Sequence, residues 1–205
     1  MTIKVIIFDL GKVLFDYDLN IISKSFLPYA QKKEILKDIN NFMKDNDVFF
    51  SRYEKGQISS LSFYEGLSKI VDLNIDYEHF CDLWNNIFTP ITEMVSFIPL
   101  LHEKYRLAVL SNTNDLHYEF LKKICPKVFE CFDDLFLSYK MNLRKPETEI
   151  YNKVIEYCKV KPQDIFFTDD LEVNVNAAKK CGINAFVFKN LEKLKNDFLS
   201  VGIKI

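Results

Sequence analysis

The stretch IKVIIFDLGKVLFDYD, residues 3–18, decides the fold. After Ile3 and Lys4, apolar and β-branched residues run from Val5 to Phe8, which predicts a short strand covered on both faces rather than one side of an open sheet. The run stops at a carboxylate, Asp9, and two positions later Gly11 stands where a second acid could have been. A carboxylate at the end of a buried strand calls for partners from elsewhere in the chain.

Four more stretches have the same character: RLAVLS (106–111), DLFLS (134–138), DIFFT (164–168) and NAFVF (184–188). Helical patterns alternate with them from residue 92 onward, in EMVSFIPLLHEK, NDLHYEFLKKIC, ETEIYNKVIEYC and EVNVNAAKKC, the last stopping before Gly182. Strand and helix in alternation predict an α/β fold, a Rossmann-like doubly wound parallel sheet. Residues 16–90 break the pattern, with helical periodicity, many aromatics and no convincing strand. They read as a helical cap of residues 16–90 inserted after the first strand, with residues 1–15 and 91–205 forming the core. Gly56 is expected to stop one cap helix, and Ser59 or Ser60 to cap the next.

The bulk properties narrow the function. The 205 residues are 48% hydrophobic and 27% charged, which suits a soluble globular chain able to bury a sizeable core. A formal charge of −2 argues against nucleic acid as a partner. No apolar run approaches the roughly 20 residues that cross a bilayer, so no membrane partner is expected. The opening MTIKVIIF is too short and strand-like for a secretory leader. Five scattered cysteines (Cys81, Cys125, Cys131, Cys158, Cys181) without CxxC spacing fit reduced, packed thiols and a cytoplasmic protein. A monomer is the default expectation.

Polar residues then fall at corresponding places. Asp9 follows the first strand; Ser111, Asn112 and Thr113 finish the second; Arg144 and Lys145 follow the third; Asp169 and Asp170 follow the fourth. In an open parallel sheet the carboxyl ends of the strands share one edge, where ligands bind. Each residue alone has a plain structural explanation: Asp9 as a turn cap, the acidic pair as a helix start, Lys145 as half of a solvated basic pair, Ser111 as an N-cap. Their coincidence at one edge does not. Three carboxylates crowded together call for a hard cation with oxygen ligands, and Mg²⁺ fits. Ser111, amides near Asn112 and Lys145 would serve the oxygens of a phosphoryl group, leaving Asp9 as nucleophile.

The motifs FDLGKVL, LSNTN, RKPE and FFTDDLEVN resemble the four motifs of the haloacid dehalogenase superfamily of phosphohydrolases. FDLGKVL, VLSNTNDLH and LRKPETEIY together are most similar to the bacterial α-D-glucose-1-phosphate phosphatase branch. The resemblance spans essentially the whole chain, specific in the core and loose in the insert. It implies a Mg²⁺-dependent phosphatase acting on a small phosphorylated metabolite, glucose 1-phosphate being the best single example. It implies Asp9 as nucleophile, with Ser111 and Asn112 binding phosphate and Lys145 steadying both. It also implies metal contacts from Asp9 and the Gly11 carbonyl, with Asp169 as a ligand supported by Asp170.

Two positions depart from the family pattern. Gly11 fills the place of the usual general acid–base Asp, as it does in the glucose-1-phosphatase-like branch, and Leu171 stands where related chains often have Asn. General acid–base catalysis contributes roughly 10²–10⁴ in rate, so its loss slows rather than abolishes the reaction. Asp16, Asp18 and His117 are possible stand-ins. The competing functions are a metal-independent 2-haloacid dehalogenase and a phosphate-binding sensor without turnover. The first wants an Arg near the nucleophile, where Leu10, Gly11 and Lys12 stand; the second is motivated by Gly11. A receiver domain is disfavoured because its acidic pair would follow the first strand. The insert aromatics Phe49, Phe50, Tyr53 and Trp84 are expected in the insert's own core rather than on a sugar-binding face, although their abundance is compatible with a pocket that closes over a small polar substrate.

Overall fold

The computed structural model describes residues 2–204. The chain begins with β1 (Val5–Phe8) and β2 (Phe15–Tyr17), then enters six helices: α1 (Leu19–Phe26), α2 (Lys33–Leu36), α3 (Ile39–Asp45), α4 (Asp47–Glu54), α5 (Ser60–Val71) and α6 (Tyr77–Asn85). It returns through β3 (Phe88–Pro90) into α7 (Thr92–His102), β4 (Arg106–Ser111), α8 (Asp115–Ile124) and α9 (Pro126–Phe129). The remainder runs β5 (Asp134–Leu137), α10 (Ser138–Met141), α11 (Thr148–Cys158), β6 (Ile165–Asp169), α12 (Glu172–Lys180), β7 (Asn184–Val187) and α13 (Leu191–Ser200).

The main sheet has the order β5-β4-β1-β6-β7, and all four neighbour pairs are parallel. Strand order reverses at β1, so the switch point lies beside Asp9. The uninterrupted apolar runs follow from the layering. Ile6, Phe8, Leu107, Val109 and Phe166 pack on one face against α7, α8, α9 and α13. Val5, Ile7, Ala108, Leu110, Ile165 and Phe167 pack on the other against α11 and α12. With both faces dry, neither set of alternate positions can be polar.

The helical insert has a third apolar cluster, in which Phe26, Phe50, Tyr53, Phe63, Phe80 and Trp84 stack in stacked and edge-on pairs. Gly56 stops α4 with φ +65, and Ser59 caps α5 by accepting the Ser62 amide at 3.1 Å. One feature of this region corrects the sequence expectation that it holds no strand. Phe15, Asp16 and Tyr17 pair antiparallel with Pro90, Thr89 and Phe88, so the chain leaves and re-enters the sheet domain through a two-stranded ribbon. Three residues a side are too few to show an alternation. Among the described residues no helix is long and apolar enough to cross a membrane, and all five cysteines are free thiols.

Candidate active site

Asp9 lies just past β1, 8% exposed, its amide bonded to the Thr168 carbonyl at 3.0 Å. Its Oδ1 accepts the Leu10 amide at 2.7 Å and faces the Lys145 ammonium at 3.0 Å. Among the described residues no donor bonds Oδ2, which is left free of protein partners. Burial raises the Asp9 pKa, Lys145 opposes the rise and Asp169 adds to it. Lys145 is 1% exposed and donates to Asp169 Oδ2 at 2.6 Å and to the Leu110 carbonyl at 2.9 Å. Burial works against its charge, but Asp9 and Asp169 outweigh that and hold its pKa above the usual lysine value.

Asp169 is fully buried, and its oxygens are taken by protein donors: Lys145 and Asn174 on Oδ2, Leu171 N–H and Asn174 on Oδ1, at 2.6–3.1 Å. Asp170 instead borders the cavity, together with Asp9 and Gly11. Its pKa is raised by burial and by repulsion from Asp169. One oxygen from each of Asp9, Asp169 and Asp170 falls within 4.8 Å of the others. Three carboxylates against one ammonium leave two negative charges uncompensated in a half-dry site. An all-oxygen donor set with that deficit matches a hard divalent ion, so the residues present fit Mg²⁺.

Gly11 packs under the Tyr17 ring. A Cβ there would lie 3.0 Å from Tyr17 Cε1, so any side chain would press on that ring. Lys12, in the left-handed region at φ 57, tightens the loop by donating its amide to the Phe15 carbonyl at 2.7 Å, and its ammonium lies over the Tyr17 ring. Burial and the charges of Asp170, Asp9 and Glu54 push the Tyr17 hydroxyl up to about 12. This phenol therefore stays protonated, surrounded by carboxylates.

Ser111 ends β4, 2% exposed and bordering the cavity. Both ends of the Asn112 side chain are spent on the Lys145 backbone: Nδ2 donates to its carbonyl at 2.9 Å, and Oδ1 accepts its amide at 2.8 Å. Asn112 thus fixes the lysine loop through its side chain. Arg144 and Lys145 diverge. Lys145 points inward, whereas Arg144 Nη1 lies 3.4 Å from Asp47 and Nη2 3.2 Å from Glu54 on α4. Lys55 pairs with Glu147, and Asn142 donates to the Lys55 carbonyl at 2.8 Å. Across the cavity, Tyr53 and Ser60 both bond Asp115 at the start of α8.

The proposed stand-ins for the missing acid fare unevenly. Asp16 is 61% exposed and paired with Lys12, and Asp18 caps α1 through the Asn20 amide. His117 does border the cavity, but its Nδ1 lies 3.1 Å from Asn114 and its Nε2 3.3 Å from the Trp84 carbonyl. The ring stacks on Trp84 and meets Phe88 edge-on, and burial lowers its pKa to about 4, so it is neutral at pH 7. Phe50, Tyr53 and Trp84 are core members of the insert that also border the cavity. Three residues escaped the sequence reading: Asn174, Tyr17 and Glu54. Asn174 alone had a local signal, because a side chain in the first turn of α12 leans back toward the strand end that holds Asp169.

The cavity has a volume of about 230 Å³, polar around Asp9, Ser111 and Lys145 and apolar around Ile22, Met43 and Trp84. With this geometry in place, comparison with known proteins is informative. A family model described as haloacid dehalogenase-like hydrolase matches residues 3–182. The D-ribitol-5-phosphate phosphatase of Bacteroides thetaiotaomicron is 27% identical over 197 residues, covering 92% of this chain and 93% of that protein. A crystal structure of a HAD family enzyme from Bacteroides thetaiotaomicron superposes with a TM-score of 0.85 at 29% identity, covering 97% of this chain and 99% of the other. The wild-type form of that enzyme in complex with magnesium and inorganic phosphate gives 0.81 at 30% identity, covering 94% and 98%.

Proposed function

The chain belongs to the haloacid dehalogenase-like hydrolase family, and on that footing we propose that it is a Mg²⁺-dependent phosphatase of small phosphorylated sugars or polyols. The observation that carries this reading is the Asp9–Lys145–Asp169 arrangement, with Asp170 beside it at the mouth of a cavity. In the similar enzyme above, magnesium and inorganic phosphate bind together.

The residues divide the work as follows. Asp9 Oδ2 attacks phosphorus and becomes the aspartyl-phosphate as the bond from phosphorus to the ester oxygen breaks and the alcohol leaves, while Lys145 holds Oδ1 and faces the phosphoryl oxygens. Ser111 and the loop that Asn112 braces supply further donors to those oxygens. Asp9, the Gly11 carbonyl and Asp170 would hold Mg²⁺. Asp169 assumes the supporting place, because its lone pairs are already committed to Lys145, Leu171 and Asn174. That division would exchange the roles that the resemblance implies for 169 and 170. A bound Mg²⁺ supplies charge neutralisation and polarises a phosphoryl oxygen.

The helical insert acts as the cap that chooses the substrate. A cavity of about 230 Å³ falls below the roughly 300–1,000 Å³ of drug-sized sites, which favours a small metabolite. Trp84 and Phe50, though packed against other rings, border the apolar end of the cavity, where the carbon side of a sugar or polyol would lie. D-ribitol 5-phosphate and glucose 1-phosphate head the substrates to test, the first from the curated relative and the second from the motif resemblance.

The test is phosphate release from a panel of sugar and polyol phosphates with and without Mg²⁺, for the wild type and Asp9→Asn. Release is expected only with the metal and only from the wild type. Equal release without metal, or full activity of the variant, would overturn the reading. Halide release from 2-chloropropionate would replace it with the dehalogenase.

A further inference from the structure

Building on the phosphatase reading, we propose that Glu54, carried by the helical insert on α4, supplies the general acid–base function that Gly11 cannot. The need is structural. Position 11 carries no side chain to act as acid or base, and the Tyr17 ring packs against it closely enough that an added Cβ would lie 3.0 Å from Cε1.

The titratable groups that border the cavity are few. Asp9 and Lys145 are committed to the phosphoryl group and Asp170 to the cation. Tyr17 and Tyr53 are held protonated by burial. Both ring nitrogens of His117 are engaged within the fold. Glu54 remains, and it is unfinished as a structural residue. Its Oε2 is buried without a hydrogen bond, although Arg144 Nη2 lies 3.2 Å away, and the Arg144 Nε is likewise buried and unpartnered. The ion pair compensates the charge, but a buried oxygen without a well-formed hydrogen bond keeps acceptor capacity to spare.

The surroundings suit proton transfer. Burial raises the Glu54 pKa and Asp47 adds to the rise, while Arg144 and Lys145 oppose it. Glu54 borders the same cavity as Asp9, Tyr17 and Asp170. In the first half-reaction the Glu54 carboxylic acid gives its proton to the leaving-group oxygen as the bond from that oxygen to phosphorus breaks and the Asp9 Oδ2–phosphorus bond forms. In the second, the Glu54 carboxylate takes a proton from the water that attacks phosphorus. The Asp9–phosphorus bond breaks, inorganic phosphate leaves and Glu54 is protonated again. Arg144 is the positioning residue, tying α4 to the loop that carries Lys145.

The test uses a series of phosphate monoesters, from sugar phosphates to p-nitrophenyl phosphate, assayed with Mg²⁺ for wild type, Glu54→Gln and Glu54→Asp. A poor alkoxide leaving group needs the proton; p-nitrophenolate does not. Glu54→Gln is expected to lose roughly 10²–10⁴-fold in kcat/KM on the sugar phosphates and less than about tenfold on p-nitrophenyl phosphate. Glu54→Asp, which keeps the carboxyl group, is expected to retain the wild-type insensitivity to leaving group at a lower rate. Equal loss across the series, a change confined to KM, or no change would overturn the role of Glu54 while leaving the phosphatase standing. Absence of phosphate release by the wild type would remove both.

Discussion

Lys145 is the residue on which the site's electrostatics balance. Among the described residues it is the one cation in contact with Asp9 and Asp169, and it is almost wholly buried. Removing one partner from such a group costs about 3–5 kcal/mol, since the remaining charges stay buried. Lys145→Met should therefore unfold at a clearly lower temperature than wild type in EDTA. Mg²⁺ should raise its melting temperature by more than it raises that of wild type, and Asp170→Asn should shrink the Mg²⁺ effect. Thermal melts with and without the ion check all three. His117 offers a pH test. Its folded pKa of about 4 lies below the ordinary 6.5, so the unfolded chain binds the extra proton and stability falls as pH drops from about 6.5 toward 4. The raised carboxylates of Asp9, Glu54 and Asp170 act with the opposite sign, losing stability as pH rises, so the comparison must be with a variant. His117→Gln should abolish a loss on the order of 2 kcal/mol between pH 7 and 5, measured by urea unfolding. At this scale Asp9, Lys145 and the acidic pair were legible in the sequence because strand ends share an edge. Which acid faces the cavity was not, because that depends on the Asn174 and Leu171 donors.

At the scale of elements, the five parallel strands were readable as apolar runs, since β1, β4 and β6 are buried on both faces and the edge strands β5 and β7 in part. The ribbon of β2 and β3 was not, since three residues carry no period and one of them is Pro90. The seam between α4 and α10 was also invisible, because it joins residues more than eighty positions apart through the Lys55 carbonyl, Asn142 and Gly56. Gly56 matters twice there. Its φ of +65 strains any side chain, and a Cβ would come within 2.2 Å of the Tyr139 carbonyl oxygen, a backbone atom that cannot rotate away. Gly56→Ala is expected to cost more than about 1 kcal/mol and to lift the end of α4 from the sheet domain. A lower urea midpoint with a raised KM for the sugar phosphate would show it. An unchanged KM would mean that α4 keeps its place.

For the whole molecule, the arrangement is two apolar layers around one sheet and a third cluster within the helical insert. Phe63 is the centre of the third, fully buried and ringed by Phe49, Phe50, Tyr53, Phe80 and Trp84. Phe63→Ala should cost about 3–5 kcal/mol locally. In native-state hydrogen exchange the amides of α5 and α6 should lose protection, while those of β1, β4 and β6 keep theirs. Uniform loss would show the molecule to open as one unit. The sequence foretold a helical segment here but not how its helices close over the sheet edge, since that depends on aromatic contacts between distant positions.

That third cluster has a practical corollary for anyone altering the enzyme. Trp84, Phe50 and Met43 owe their positions to packing among α1–α6, whereas Asp9 and Lys145 owe theirs to the strands. Libraries randomised at the far wall, with Glu54 kept, can be searched for new tastes without dismantling the reaction centre. Breeding for altered diet and breeding for sturdiness become largely separate campaigns.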